Sequence, residues 1–122
     1  MNWRFGWIAI LAAFVSGAIV GLFFHRDDFL GGYDSFRRRL VRLGHVALAA
    51  LGMMNVLYGL GPMASAPSTA ARSASLAFVI GGVTMPAVCF LTAWRREFRH
   101  AFFVPVAALL FAVLQTLRMP PP

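Results

Sequence analysis

Four apolar stretches separated by short polar segments dominate the chain. WRFGWIAILAAFVSGAIVGLFF, Trp3 to Phe24, is the first; the others run from about Leu40 to Gly61, Ser73 to Trp94 and Phe98 to Leu117. A helix rising 1.5 Å per residue needs about 20 residues to cross a hydrocarbon core of about 30 Å, and each stretch meets that length. The pattern predicts an all-α integral membrane four-helix bundle with short loops, a single transmembrane domain over residues 1–122 and no room for a soluble domain. Gly61-Pro62 should close the second span, and no helix continues through the Pro120-Pro121-Pro122 tail. Asp34 or Ser35 should cap the start of the second. A cleaved signal peptide is the competing reading of the first stretch. Its apolar run is too long for a signal core, and aromatic Phe23-Phe24 stands where small cleavage-site residues belong, so the span is expected to be retained.

Within the spans, small residues mark the faces that pack, because lipid offers apolar side chains no worse a home than a neighbouring helix does. Ala9, Ala13, Gly17 and Gly21 recur at i+4 along the first span, with His25 next in the series. Ala49, Gly52, Asn55 and Gly59 share a broad face of the second, and His45, Gly52 and Gly59 lie seven apart, so they nearly superpose around a helix. Gly17, Gly21, Gly52 and Gly59 are therefore the expected helix-packing positions. In the third span Ser73, Ala77 and Gly81 form a stripe, and Gly82, Thr84 and Pro86 should bend the helix near its middle. In the fourth, Pro105 falls within or near the first turns.

Charge fixes the expected orientation. Only 12% of residues are charged, the net charge is +7, and all eleven cations are arginine. The segment between spans one and two holds Arg26, Arg37, Arg38, Arg39 and Arg42, and that between three and four holds Arg95, Arg96 and Arg99, against Arg4, Arg72 and Arg118 on the opposite side. The positive-inside rule then places both basic loops in the cytoplasm and both termini on the non-cytoplasmic side of a cell inner (plasma) membrane. Arg37, Arg38, Arg39, Arg42, Arg95, Arg96 and Arg99 are the expected lipid-binding residues, with anionic headgroups as their partner and no role for nucleic acid. Cys89 stands alone in an apolar run, which excludes an intramolecular disulfide and leaves it as a small buried hydrophobe.

The topology gathers all three histidines, His25, His45 and His100, at the basic ends of spans one, two and four. The simplest reading is structural, a neutral imidazole at His45 bonded to a neighbouring helix. A sharper one is a haem b site with His45 and either His25 or His100 as axial ligands, arginines answering the propionates and Asn55 on the same inward face. A third joins the histidines to Asp27, Asp28 or Glu97 around a divalent metal, although the spacing matches no known ligand set. Met53-Met54 read as core packing, since adjacent helical side chains point about 100° apart. No nucleophile–base spacing, phosphate-cradling glycine loop or HExxH occurs, and no carboxylate lies within a span, so neither catalysis nor proton-coupled transport is signalled. The expected role is a small non-catalytic module that docks through its glycine faces into a larger membrane assembly, a respiratory complex or a homo-oligomer among the settings. The alternative is a haem-b electron-transfer module.

Overall fold

The computed structural model describes residues 1–119. Four helices follow in order: α1, Asn2–Leu22; α2, Phe36–Leu60; α3, Thr69–Trp94; and α4, Phe103–Leu117, which continues from a 3-10 segment over Arg96–Phe102. Each is long and apolar enough to span a membrane, α4 when taken with that lead-in from Arg96. The Pro120-Pro121-Pro122 stop lies outside the described residues.

α2 and α3 begin about a turn earlier than their apolar runs, and serine caps explain it. Ser35 Oγ accepts from the Arg38 backbone N–H at 3.1 Å, and Ser68 Oγ accepts from that of Ala71 at 3.1 Å. Each cap satisfies an amide that the first helical turn leaves without a partner, so the helix extends into polar sequence. α2 closes at Gly61 with Pro62 starting a short 3-10 turn, and Pro105, third residue of α4, sits where a proline forfeits no helical hydrogen bond. Pro86 lies inside α3, which remains one continuous element.

The helices pack in chain order, α1 on α2, α2 on α3 and α3 on α4, with α1 reaching α3 only lightly. α3 is consequently the most enclosed, while α1 and α4 form the flanks. Backbone proximity sets the first interface: a Cβ at Gly6 would lie 2.5 Å from the Gly52 carbonyl oxygen and 2.7 Å from the Val56 nitrogen. Between α3 and α4, a Cβ at Gly81 would run into Leu109, next to a core of Tyr58, Ala74, Ala77, Phe78 and Ala112.

Near the end that carries the termini, side-chain hydrogen bonds join three helices. Asn2 Nδ2 donates to Asn55 Oδ1 at 2.9 Å and to the Ser75 carbonyl at 3.0 Å, while the Ser75 hydroxyl donates to Asn2 Oδ1. Asn55 Nδ2 donates to the carbonyls of Leu51, at 2.9 Å, and Phe78, at 3.2 Å. Tyr58 donates to the Ala71 carbonyl at 2.8 Å. Amides in a dry interior are retained when every donor finds an acceptor, as both asparagine amides do here.

Candidate functional site

The end that carries the two arginine-rich segments is organised by aromatic rings. The chain from Phe23 to Ser35 folds back through a 3-10 turn at Phe29–Gly31 and three consecutive residues at positive φ: Leu30 at 56°, Gly31 at 91° and Gly32 at 96°. Glycine holds the last two at little steric cost, and the Ser35 hydroxyl secures the first by donating to the Leu30 carbonyl at 2.8 Å. That fold delivers the rings of Phe24, Phe29 and Tyr33 to Arg38, whose guanidinium carbon lies 4.8, 6.0 and 5.2 Å from their centroids. Arg38 is only 3% exposed; one terminal nitrogen donates to the Phe24 carbonyl at 3.3 Å, and its Nε has no partner. Cation–π contacts take the place of a counter-ion, which is more effective as water is excluded.

The neighbouring arginines are held in related ways. Arg37 donates from Nε to the Ala93 carbonyl at 3.1 Å and lies 5.6 Å from the Trp94 ring, tying the start of α2 to the end of α3. Arg42 lies 5.4 Å from Tyr33, and Arg96 lies 5.3 Å from Phe36. Arg39, Arg95 and Arg99 are exposed. All four carboxylates of the chain belong to this end, yet the only ion pair among the described residues is Arg26–Asp28, at 3.3 Å. Arg37, Arg38, Arg39, Arg42, Arg95, Arg96 and Arg99 thus have no carboxylate partner there.

His45 points to α1. Its Nδ1 is 3.1 Å from Ser16 Oγ, and that hydroxyl donates its proton to the Ala13 carbonyl at 3.0 Å. The contact ties α2 to α1 through a ring whose donor and acceptor roles follow its tautomer. The ring fills the space a Cβ on Gly17 would take, 2.6 Å from His45 Cε1. Beside it opens a cleft of about 200 Å³ walled by Gly21, Phe24, Arg42 and Val46 among others. Sites for drug-sized ligands occupy about 300–1,000 Å³, so this cleft suits something smaller than a porphyrin.

The other histidines do not join it in a ligand set. His25 and His100 are exposed, Arg99 Nε lies 3.4 Å from His100 Nε2, and no group of three His, Cys, Asp or Glu residues suited to a metal exists among the described residues. Asn55, fully buried, spends both amide protons on carbonyls. Met53 and Met54 are 54% and 40% exposed; they face outward, because the heptad face of α2 belongs to its neighbours and the methionines fall between.

Three of the four packing glycines are occupied within the chain. Gly17 meets His45, Gly52 meets Gly6, Ala9 and Ile10, and Gly59 meets the backbone of Trp3, while a Cβ at Gly21 would find nothing within 4 Å. Sequence reasoning passed over Asn2, Gly6, Ser16 and Thr92. Asn2 and Gly6 lie seven and three residues before Ala9, on the same face of α1, and the signal for Thr92 is a hydroxyl one turn from a charged loop; Ser16, six residues before the end of α1, carries no such signal. Set against protein-family models, curated proteins and solved structures, the chain matches none.

Proposed function

We propose that the chain is a non-catalytic membrane module that gathers anionic lipid headgroups at its arginine-rich end and packs beside other membrane subunits, in an inner or plasma membrane with that end cytoplasmic. The observation that carries this reading is the set of six exposed arginines, Arg37, Arg39, Arg42, Arg95, Arg96 and Arg99, with no carboxylate partner, three of them steadied on aromatic rings; Arg38, expected among the lipid contacts, is enclosed at 3% exposure by Phe24, Phe29 and Tyr33 and anchors the turn instead. Guanidinium groups at a membrane surface draw their counter-ions from phosphates when the protein supplies none, each gaining about 1 kcal/mol near an anionic leaflet. Trp94, 78% exposed at this end, is a built-in reporter. In reconstituted bilayers, the part of tryptophan quenching that Trp94→Phe abolishes should be greater with brominated phosphatidylglycerol than with brominated phosphatidylcholine. Arg39→Gln with Arg95→Gln should lower that preference severalfold, and added salt should weaken it. An equal response to the two lipids in the unaltered protein removes the reading.

A haem-b electron-transfer module is the second reading, and the placement of His45 against α1 beside a cleft is the observation that favours it. The small cleft and the separate settings of His25 and His100 weigh against a bis-histidine axis. The expected absorption spectrum of the detergent-purified protein, oxidised and dithionite-reduced, has no Soret band. A band that disappears in His45→Ala would make electron transfer the working function.

A further inference from the structure

Between the first turns of α2, the end of α3 and the 3-10 segment before α4 lies a pocket of about 310 Å³, lined by Phe36, Leu40, Thr92, Arg96, Arg99 and Phe102. Its walls divide by chemistry into two arginines, a threonine and three apolar side chains. Arg96 is positioned in advance by its contact with Phe36, 5.3 Å from the ring. Thr92 is 1% exposed, and its hydroxyl has no hydrogen-bond partner. That is unusual for a threonine on a helix, which ordinarily returns its hydroxyl to a carbonyl one turn back. Thr84 does so to Ile80 at 2.7 Å, and Thr116 to Ala112 at 2.9 Å. Leaving a buried hydroxyl unpaired is costly, and an incoming acceptor removes that cost. Glu97, the carboxylate of the 3-10 segment, pairs with neither arginine and is absent from the pocket wall.

We infer that this pocket is a specific seat for one phosphate group, held by Arg96 and Arg99 with Thr92 donating to a phosphate oxygen, and that Phe36, Leu40 and Phe102 receive the apolar part of the molecule bearing it. The inference rests on the reading that this end gathers anionic headgroups and adds a site of one-to-one stoichiometry to it. Arginine forks match phosphate geometry, and charge-assisted bonds of this kind are stronger than neutral ones. The apolar wall favours the phosphate of a glycerophospholipid. A net-anionic headgroup fits two guanidinium groups, whereas the choline cation of phosphatidylcholine opposes them.

Native mass spectrometry of the full chain, released from detergent with phosphatidylglycerol or phosphatidylcholine added, tests this. One phosphatidylglycerol per chain should survive activation that strips phosphatidylcholine. Arg96→Gln with Arg99→Gln should abolish that adduct, and Thr92→Val, which keeps the side-chain shape, should weaken it at least threefold. Arg72→Gln with Arg118→Gln, exposed arginines at the opposite end of the helices, should preserve it. Circular dichroism on each variant confirms that the helices persist. Competition by millimolar inorganic phosphate would assign the seat to a soluble phosphate, and its failure to compete would assign the seat to lipid. Equal retention by the unaltered protein and the Arg96/Arg99 variant, with the Trp94 preference intact, overturns the pocket and leaves the wider reading standing. Loss of all preference for phosphatidylglycerol in both assays overturns both.

Discussion

Gly6→Leu should separate α1 from α2 and cost about 3 kcal/mol or more, while Gly21→Leu should change stability by less than about 0.5 kcal/mol. Both are glycines of one helix, both enter an apolar span, and only their neighbours differ. Even a Cβ at Gly6 would lie 2.5 Å from the Gly52 oxygen, 2.6 Å from Val56 Cγ2 and 2.7 Å from the Val56 nitrogen. Two of these atoms are backbone and cannot rotate aside, so relief requires moving a helix. A shift of α1 would also stretch the Asn2–Asn55 bond and lift Trp3 from Gly59, which makes the loss cooperative. At Gly21 nothing lies within 4 Å of the added carbon. Unfolding titrated with dodecyl sulfate in mixed micelles and followed by circular dichroism reads the difference, with tryptophan emission reporting the Trp3 contact. Comparable losses from the two substitutions would show that α1 does not cross α2 at Gly6.

The same comparison shows how far the hydrophobic pattern carries. The α2 face marked by His45, Gly52 and Gly59 is the one that meets α1, since a spacing of seven drifts only about 20° around a helix and stays aligned over two repeats. The α1 stripe through Ala9, Ala13, Gly17 and Gly21 was followed at strict i+4 steps, each adding about 40° of drift. By Gly21 and His25 that series has left the interface, whereas towards the N-terminus the buried face runs through Gly6 and Asn2, three and seven residues before Ala9, which a strict i+4 count misses in favour of Phe5 and Met1. The number of helices and their apolar cores were legible because about 20 apolar residues have few other ways to fold in lipid. The arginine end was legible as charge but not as a site. Its geometry comes from Phe24, Phe29, Tyr33 and Phe36 arriving beside guanidinium groups, three of these rings in or next to a turn with positive φ at Leu30, and includes an unpartnered hydroxyl at Thr92, neither of which has a period. The histidines illustrate the reverse case. Sharing one end of the helices brought them to a common level, yet the contact that defines His45 is with Ser16, on a helix face that counting by loops could not foresee.

Asn55→Leu should lower stability by about 2 kcal/mol, against expectation for an apolar substitution in an apolar span. Leucine occupies similar space and is far easier to place in hydrocarbon, so hydropathy alone predicts a gain. Opposing it, Asn55 makes one bond to Asn2 on α1 and one to Phe78 on α3, and its removal leaves an Asn2 donor without that acceptor in a position only 2% exposed. Interhelical hydrogen bonds in membranes are worth about 0.6 kcal/mol on average and up to about 1.7 kcal/mol, so two of them together with an orphaned amide proton outweigh the transfer gain. Asn2→Leu should cost less than Asn55→Leu because Asn55 keeps both its carbonyl acceptors, and the double variant should cost less than the two singles combined, by about 1 kcal/mol, because one single leaves an Asn2 amide proton without its acceptor and the other leaves Asn55 Oδ1 without its donor. The cycle is measured by the same dodecyl sulfate unfolding. Additive costs would falsify the coupling and return Asn55 to the pool of polar groups available to a ligand; a coupled loss identifies it as the pin that fixes α1, α2 and α3 in register, which is the precondition for the arginine end to form at the far side of the same helices.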